Sequence, residues 1–105
     1  IVADWYGSEV ASSSVLLPKE FALSPAYPNP FNPATTLSFA LPISNTVMIS
    51  IYNLQGREVA TLVNTTMDAG YHTVTWDANS YSSGVYFVHM LAGEYVNTQK
   101  LMLIK

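Results

Sequence analysis

Apolar and polar residues alternate with a period of two along most of the chain beyond residue 33. Two early runs place every second residue on one apolar side: Leu37, Phe39 and Leu41 in the first, and Val47, Ile49 and Ile51 in the second. This alternation is typical of strands that bury one face, and no segment shows the longer period of an amphipathic helix. The pattern predicts an all-β protein.

Turn-forming residues separate the predicted strands at intervals of about ten residues. Residues 54–56 form a tight turn in which we expect Gly56 to supply a positive φ, leading into a strand over residues 57–63. The later strands follow the same rhythm: Gly70 precedes residues 71–76, Gly84 begins residues 84–91, and residues 95–104 come last. We therefore predict an immunoglobulin-like antiparallel β-sandwich of about seven strands.

Two of these strands carry further information about the core. Trp76 shares a side of its strand with Val74, and we expect both side chains to point inward. Residues 84–91 are apolar on both sides, which fits either a strand buried on both faces or a strand whose outer face is a docking surface.

A proline-rich stretch leads into the first of the alternating runs. It consists of Tyr27, Pro28, Asn29, Pro30, Phe31, Asn32 and Pro33. Because proline fixes its own φ and disfavours the helical region for the residue before it, this stretch must be extended. We expect its asparagines to bond their own backbone in turns, and its two aromatic rings to anchor it on a sheet.

Composition narrows the possible functions. The chain has 105 residues, enough for one domain, and only 10% of them are charged, against about 25% in typical soluble proteins. The net charge is −3 and the four cations are scattered, which argues against nucleic-acid binding. There is no cysteine, so a disulfide framework is excluded.

The first twenty residues differ from the rest, with little periodicity and a run of serines at residues 12–14. We interpret residues 1–20 as a linker from a preceding domain and residues 21–105 as the sandwich, although residues 15–17 before Pro18 could also dock as an edge strand. No apolar run approaches the roughly 18 residues of a transmembrane segment, and the start at Ile1 is not a signal peptide. We expect any export signal to lie upstream.

No constellation of residues indicates catalysis, a metal or a cofactor. His72 and His89 lack metal-ligand spacing, and the serines at residues 12–14 lack the context of a nucleophile. The loop over residues 77–82 holds oxygen ligands compatible with weak calcium binding, but side chains that cap their own backbone are the preferred interpretation. We therefore predict a protein that is not an enzyme and has no cofactor.

Two further groups of residues suggest binding. The aromatic residues Trp76, Tyr81, Tyr86 and Tyr95 form either buried cross-strand pairs, which we favour, or an exposed platform for sugars. The chain closes on an apolar strand flanked by cations: Lys100, Leu101, Met102, Leu103, Ile104 and Lys105. This strand is either a core strand with protective lysines or a segment whose projecting residues are read by a partner.

Five stretches occur together in order: residues 27–33, residues 51–59 around Gly56, residues 70–77 from Gly70 through Trp76, residues 83–88 around Gly84, and residues 98–105. With them the chain resembles, from about residue 21 to residue 105, the type A C-terminal sorting domain of the type IX secretion system, the Por secretion tail family of Bacteroidetes. Ala78 stands where the family often has glycine. A weaker similarity runs to the immunoglobulin-like domain of flagellar hook-capping proteins.

The resemblance implies a non-catalytic signal domain that follows a passenger protein and is recognised by the translocon at the outer membrane. It implies export through the periplasm to the cell surface or the medium, and it makes residues 100–105 the expected recognition segment. Two other classes stay open on the residues alone: a carbohydrate- or surface-binding module, and a structural domain that assembles through its edge strands.

Overall fold

The computed structural model describes residues 17–105, and it is built from strands. They are β1 (Ala22–Leu23), β2 (Ala34–Leu41), β3 (Asn45–Tyr52), β4 (Glu58–Met67), β5 (Gly70–Asp77), β6 (Gly84–Ala92) and β7 (Tyr95–Leu103). Every pair of neighbouring strands is antiparallel. The predicted all-β sandwich of about seven strands is confirmed.

The strands form two sheets. One has three strands in the order β1-β2-β5, and the other has four in the order β4-β3-β6-β7. Because β2 and β3 are joined by a short turn but lie in different sheets, the chain crosses between the layers there. It crosses again between β4 and β5 and between β5 and β6. This crossing is typical of immunoglobulin-like sandwiches, whose core lies between the two sheets.

The core consists of the inward residues that the alternation predicts. The large, fully buried apolar side chains of β2 and β3 are Leu37, Leu41, Val47, Ile49 and Ile51, joined from β6 and β7 by Val88, Met90, Leu101 and Leu103. Trp76 is buried as predicted, and Val74 packs against the core while remaining half-buried. Of the two faces of β6, the one that carries Tyr86, Val88 and Met90 faces the core.

The turn before β4 has the predicted geometry. Gly56 has a φ of 80°, and the side chain of Asn53 accepts hydrogen bonds from the backbone amides of Gln55 and Arg57. The positive φ explains why glycine stands here, since a Cβ would clash with the following carbonyl oxygen. Gly70 and Gly84 are the first residues of β5 and β6.

The structure departs from the sequence-based prediction at two strands. The strand predicted over residues 57–63 continues to Met67, and two bulges interrupt its register with β3. The two-residue strand β1 was not predicted, because it is too short to show an alternation. Most of the predicted linker, residues 1–16, lies outside the described residues, as does most of the alternative edge strand at residues 15–17.

Candidate recognition site at the terminal strand

Two segments that lie far apart in the sequence run side by side at the edge of the four-stranded sheet. We call residues 27–33 the proline segment and residues 100–105 the terminal segment. The amide of Phe31 donates to the carbonyl of Met102 at 2.9 Å, and the amide of Ile104 donates to the carbonyl of Phe31 at 3.0 Å. Phe31 thus forms a single parallel β-bridge with Leu103, on the side of β7 that faces away from β6.

Asn29 continues this pairing with its side chain. Its Nδ2 donates to the carbonyl of Lys100 at 2.9 Å, and its Oδ1 accepts from the amide of Met102 at 3.0 Å. The side-chain amide therefore replaces a backbone peptide as the strand partner of the terminal segment. The expectation that the asparagines bond their own backbone is wrong for Asn29, because the edge of β7 offers its amide a donor and an acceptor at matching spacing.

The proline segment is held to the sandwich by one ring rather than two. Phe31 is 2% exposed, and its ring centroid lies 5.6 Å from that of Trp76. Tyr27, in contrast, is 80% exposed, so the expectation that its ring is an anchor is wrong. The backbone of Tyr27 still pairs with Thr36 through two hydrogen bonds of 3.0 Å, and the buried hydroxyl of Thr35 donates to the carbonyl of Pro28 at 2.7 Å.

The aromatic residues that suggested a sugar platform pack against one another instead. The ring of Trp76 lies 5.4 Å from that of Tyr81 and 5.3 Å from that of Tyr86, and Trp76 is only 3% exposed. Tyr95 stacks on Phe21 at 5.7 Å, and its hydroxyl accepts from the amide of Leu23. Buried and half-buried pairs are the arrangement that the sequence favoured, and they leave no common exposed face.

The side chains of the terminal segment alternate between the core and the solvent. Leu101 and Leu103 are 0% and 2% exposed and belong to the core, whereas Met102 and Ile104 are 39% and 51% exposed. Lys100 is exposed as well. The two interpretations of this strand, a core strand and a strand with projecting residues, therefore describe its two faces.

Lys105 is exposed but tied to a neighbouring loop. Its amide donates to the hydroxyl of Ser83 at 3.0 Å, and its Nζ donates to the carbonyls of Asn79 and Tyr81, the latter at 2.7 Å. The loop over residues 77–83 is thereby fixed against the terminal segment. Asp77 caps this loop by accepting from the amide of Asn79 at 3.0 Å, the interpretation preferred for it from the sequence.

The outer face of the four-stranded sheet carries two groups of apolar side chains. Cross-strand pairs place Met102 beside Val85 and Lys100 beside Phe87, and Phe87 in turn lies beside Tyr52. Farther along the same face lies a second, exposed apolar row of Met48, Leu91 and Val96. The outer side of β6 is half-buried to exposed, so β6 is not buried on both faces; that this side is a docking surface stays a prediction.

The remaining candidate residues do not assemble into a reactive site. His72 lies on β5 and His89 on β6, in different sheets. The His72 ring bonds to the backbone carbonyl of Asp68, and the His89 ring bonds to the hydroxyl of Thr98. Residues 17–105 contain no group of three or more His, Asp or Glu side chains placed to hold a metal ion. A shallow pocket of about 300 Å³ lies between residues 53–55 and residues 82–86 and is lined mainly by turn residues.

The fold and this arrangement define a class of protein: an immunoglobulin-like β-sandwich module that presents the side chains of an ordered edge strand. The particular family follows from the sequence. The profile of the secretion system C-terminal sorting domain matches residues 25–105, and the chain belongs to this family. These domains are the C-terminal sorting signals of proteins exported by the type IX secretion system, as the five motifs implied.

Two further comparisons bear on the chain. Among solved structures it is similar to PorZ of Porphyromonas gingivalis, described as an essential bacterial surface component of the type-IX secretion system. The identity is 21% and the TM-score 0.53, over 94% of this chain but only 13% of PorZ, so this likeness shows the fold alone. A comparison with curated protein sequences found no match.

Over residues 17–105 the structure contains no helix of the length and apolarity needed to cross a membrane.

Sequence reasoning found both segments of the site but not their contact. The pairing of Asn29 with Lys100 joins residues 71 positions apart, and no local pattern predicts so distant a partner. A signal was nonetheless present: an edge strand needs cover, and the proline segment is a non-helical stretch directly before the first long strand.

Proposed function

We propose that this domain is a non-catalytic address. It carries a passenger protein, attached upstream, across the outer membrane to the cell surface or the medium, and the type IX translocon reads it at the terminal segment. The observation that carries the proposal is the match of the sorting-domain family to residues 25–105, which include both the proline segment and the terminal segment.

The structure supports this role in two ways. The terminal segment is ordered by pairing on both of its edges, with β6 on one side and with Asn29 and Phe31 on the other. It therefore presents the same side chains whatever passenger precedes it, as an address must. Within residues 17–105 the aromatic rings pack against one another and the two histidines lie in different sheets.

The experiment is an export assay with the whole chain. A reporter protein carrying a periplasmic signal peptide is joined to residues 1–105 and expressed in a type IX host and in the same host without its translocon. We expect protease-accessible reporter at the surface or in the medium only in the first host. Reporter that stays in the periplasm of the first host, with the domain folded, contradicts the proposal.

A further inference from the structure

The edge of the terminal segment is closed to a strand-adding partner. Four backbone groups point outward between residues 100 and 104: the carbonyls of Lys100 and Met102 and the amides of Met102 and Ile104. All four are already bonded to Asn29 or Phe31, at 2.9 to 3.0 Å. A partner that recognises a sheet edge by adding a strand needs these groups free.

The side chains of Lys100 and Met102 take no part in this edge pairing. Lys100 and Met102 project from the outer face of the sheet, with Phe87 and Val85 as their half-buried cross-strand neighbours on β6. The four side chains form one patch, which we call the β6–β7 face. Its core is apolar, and its single charge is the ammonium of Lys100.

Among residues 17–105, no acidic side chain stands beside that ammonium on the sheet. Glu58 lies in the same cross-strand row, but Tyr52 and Phe87 stand between it and Lys100. Three strand spacings of about 4.8 Å put roughly 14 Å between the two backbones, beyond the reach of an ion pair. Lys100 is thus available to a carboxylate supplied from outside.

We propose that the sorting machinery docks on the β6–β7 face and does not add a strand to the edge of β7. The partner is a protein surface that offers apolar side chains to Met102 and Val85 and a carboxylate to Lys100. In this arrangement Asn29 is a positioning residue, which holds the terminal segment in the sheet so that Lys100 and Met102 keep their spacing. The inference rests on the proposed function and names the surface through which it works.

The first test changes the face without touching the core. Lys100→Glu and Met102→Asp are introduced into the reporter fusion of residues 1–105, with Lys19→Glu and Tyr71→Asp as matched controls. Both control residues are exposed, and Tyr71 lies on the other sheet. We expect each face variant to lower the export rate roughly tenfold or more, equivalent to about 1.4 kcal/mol of binding. The controls are expected to export normally.

The second test opens the edge. Asn29→Ala frees the carbonyl of Lys100 and the amide of Met102. Recognition by strand addition predicts faster export of this variant, because two docking groups become available. Docking on the face predicts unchanged or slower export, because the terminal segment is held less firmly.

The possible results distinguish docking on the β6–β7 face from the proposed sorting function on which it rests. If the unaltered fusion is not exported, the proposed function fails. If the unaltered fusion, Lys100→Glu and Met102→Asp are all exported alike, or if Asn29→Ala is exported faster, only docking on the face is overturned. Thermal melting of each purified domain identifies a variant that unfolds. If Met102→Asp unfolds, the exposed Lys100 still carries the test.

Discussion

Replacing Trp76 by alanine should remove the aromatic contact between Phe31 of the proline segment and the core. The indole is 3% exposed and packs against the rings of Phe31, Tyr81 and Tyr86 at centroid distances of 5.3 to 5.6 Å. These three partners come from the proline segment, the loop after β5 and the strand β6. The loss of one side chain therefore loosens three parts of the domain.

The expected loss in the free energy of unfolding follows from the burial of the Trp76 ring. Truncation of a buried tryptophan to alanine typically costs about 3 to 5 kcal/mol, and we expect the upper half of this range because each aromatic pair adds about 0.5 to 1.5 kcal/mol. A domain of this size has a free energy of unfolding of roughly 5 to 15 kcal/mol. Because the chain contains no cysteine, no disulfide holds the weakened domain together. Trp76→Ala should therefore be close to unfolding.

The assay is urea denaturation followed by far-ultraviolet circular dichroism, since the substitution removes a fluorophore. Trp76→Phe keeps one ring and should lose less stability than Trp76→Ala. Tyr71→Ala removes a ring from the same strand that is 69% exposed, and it should change the free energy of unfolding by less than about 0.5 kcal/mol. A loss below about 1 kcal/mol for Trp76→Ala would refute the buried aromatic cluster.

Three further substitutions test other contacts by the same denaturation assay. Gly56→Ala should cost about 1 to 2 kcal/mol, because its φ of 80° is strained for any residue with a Cβ, and Gly56→Asn should cost less. An unchanged stability would contradict the turn geometry. Ser50→Ala should leave stability unchanged or raise it by up to about 1 kcal/mol, because the buried Ser50 hydroxyl has no hydrogen-bond partner within residues 17–105; a clear loss would reveal one. Asn29→Ala should cost about 1 to 3 kcal/mol by removing both bonds to β7, whereas equal stability would show that water replaces the side chain at no cost.

The faces of the strands could be predicted from sequence because a strand has a period of two. Leu37, Phe39 and Leu41 are buried because every second side chain of β2 points between the sheets. The same rule left β6 undecided, since both of its sides are apolar. Only the packing of the two sheets, which buries Tyr86, Val88 and Met90, shows that the other face of β6 is the outer one.

The site could be predicted only in its parts. Residues 27–33 and residues 100–105 were each identified as important, but asparagine beside proline predicts a local turn. The local preference for a turn is overridden at Asn29, because the edge of β7 presents a carbonyl and an amide that one side-chain amide can satisfy together. Likewise, the exposure of Tyr27 depends on where the segment meets the sandwich, which no neighbouring residue encodes.

The central claim is that this folded sandwich is itself the address. The most direct measurement is the surface-exposed fraction of one reporter in a type IX host, joined either to residues 1–105 or to an unrelated folded β-sandwich of similar size. The account predicts that protease added to intact cells reaches the first reporter, or that it appears in the medium, while the second stays in the periplasm. Equal distribution of the two reporters would contradict it.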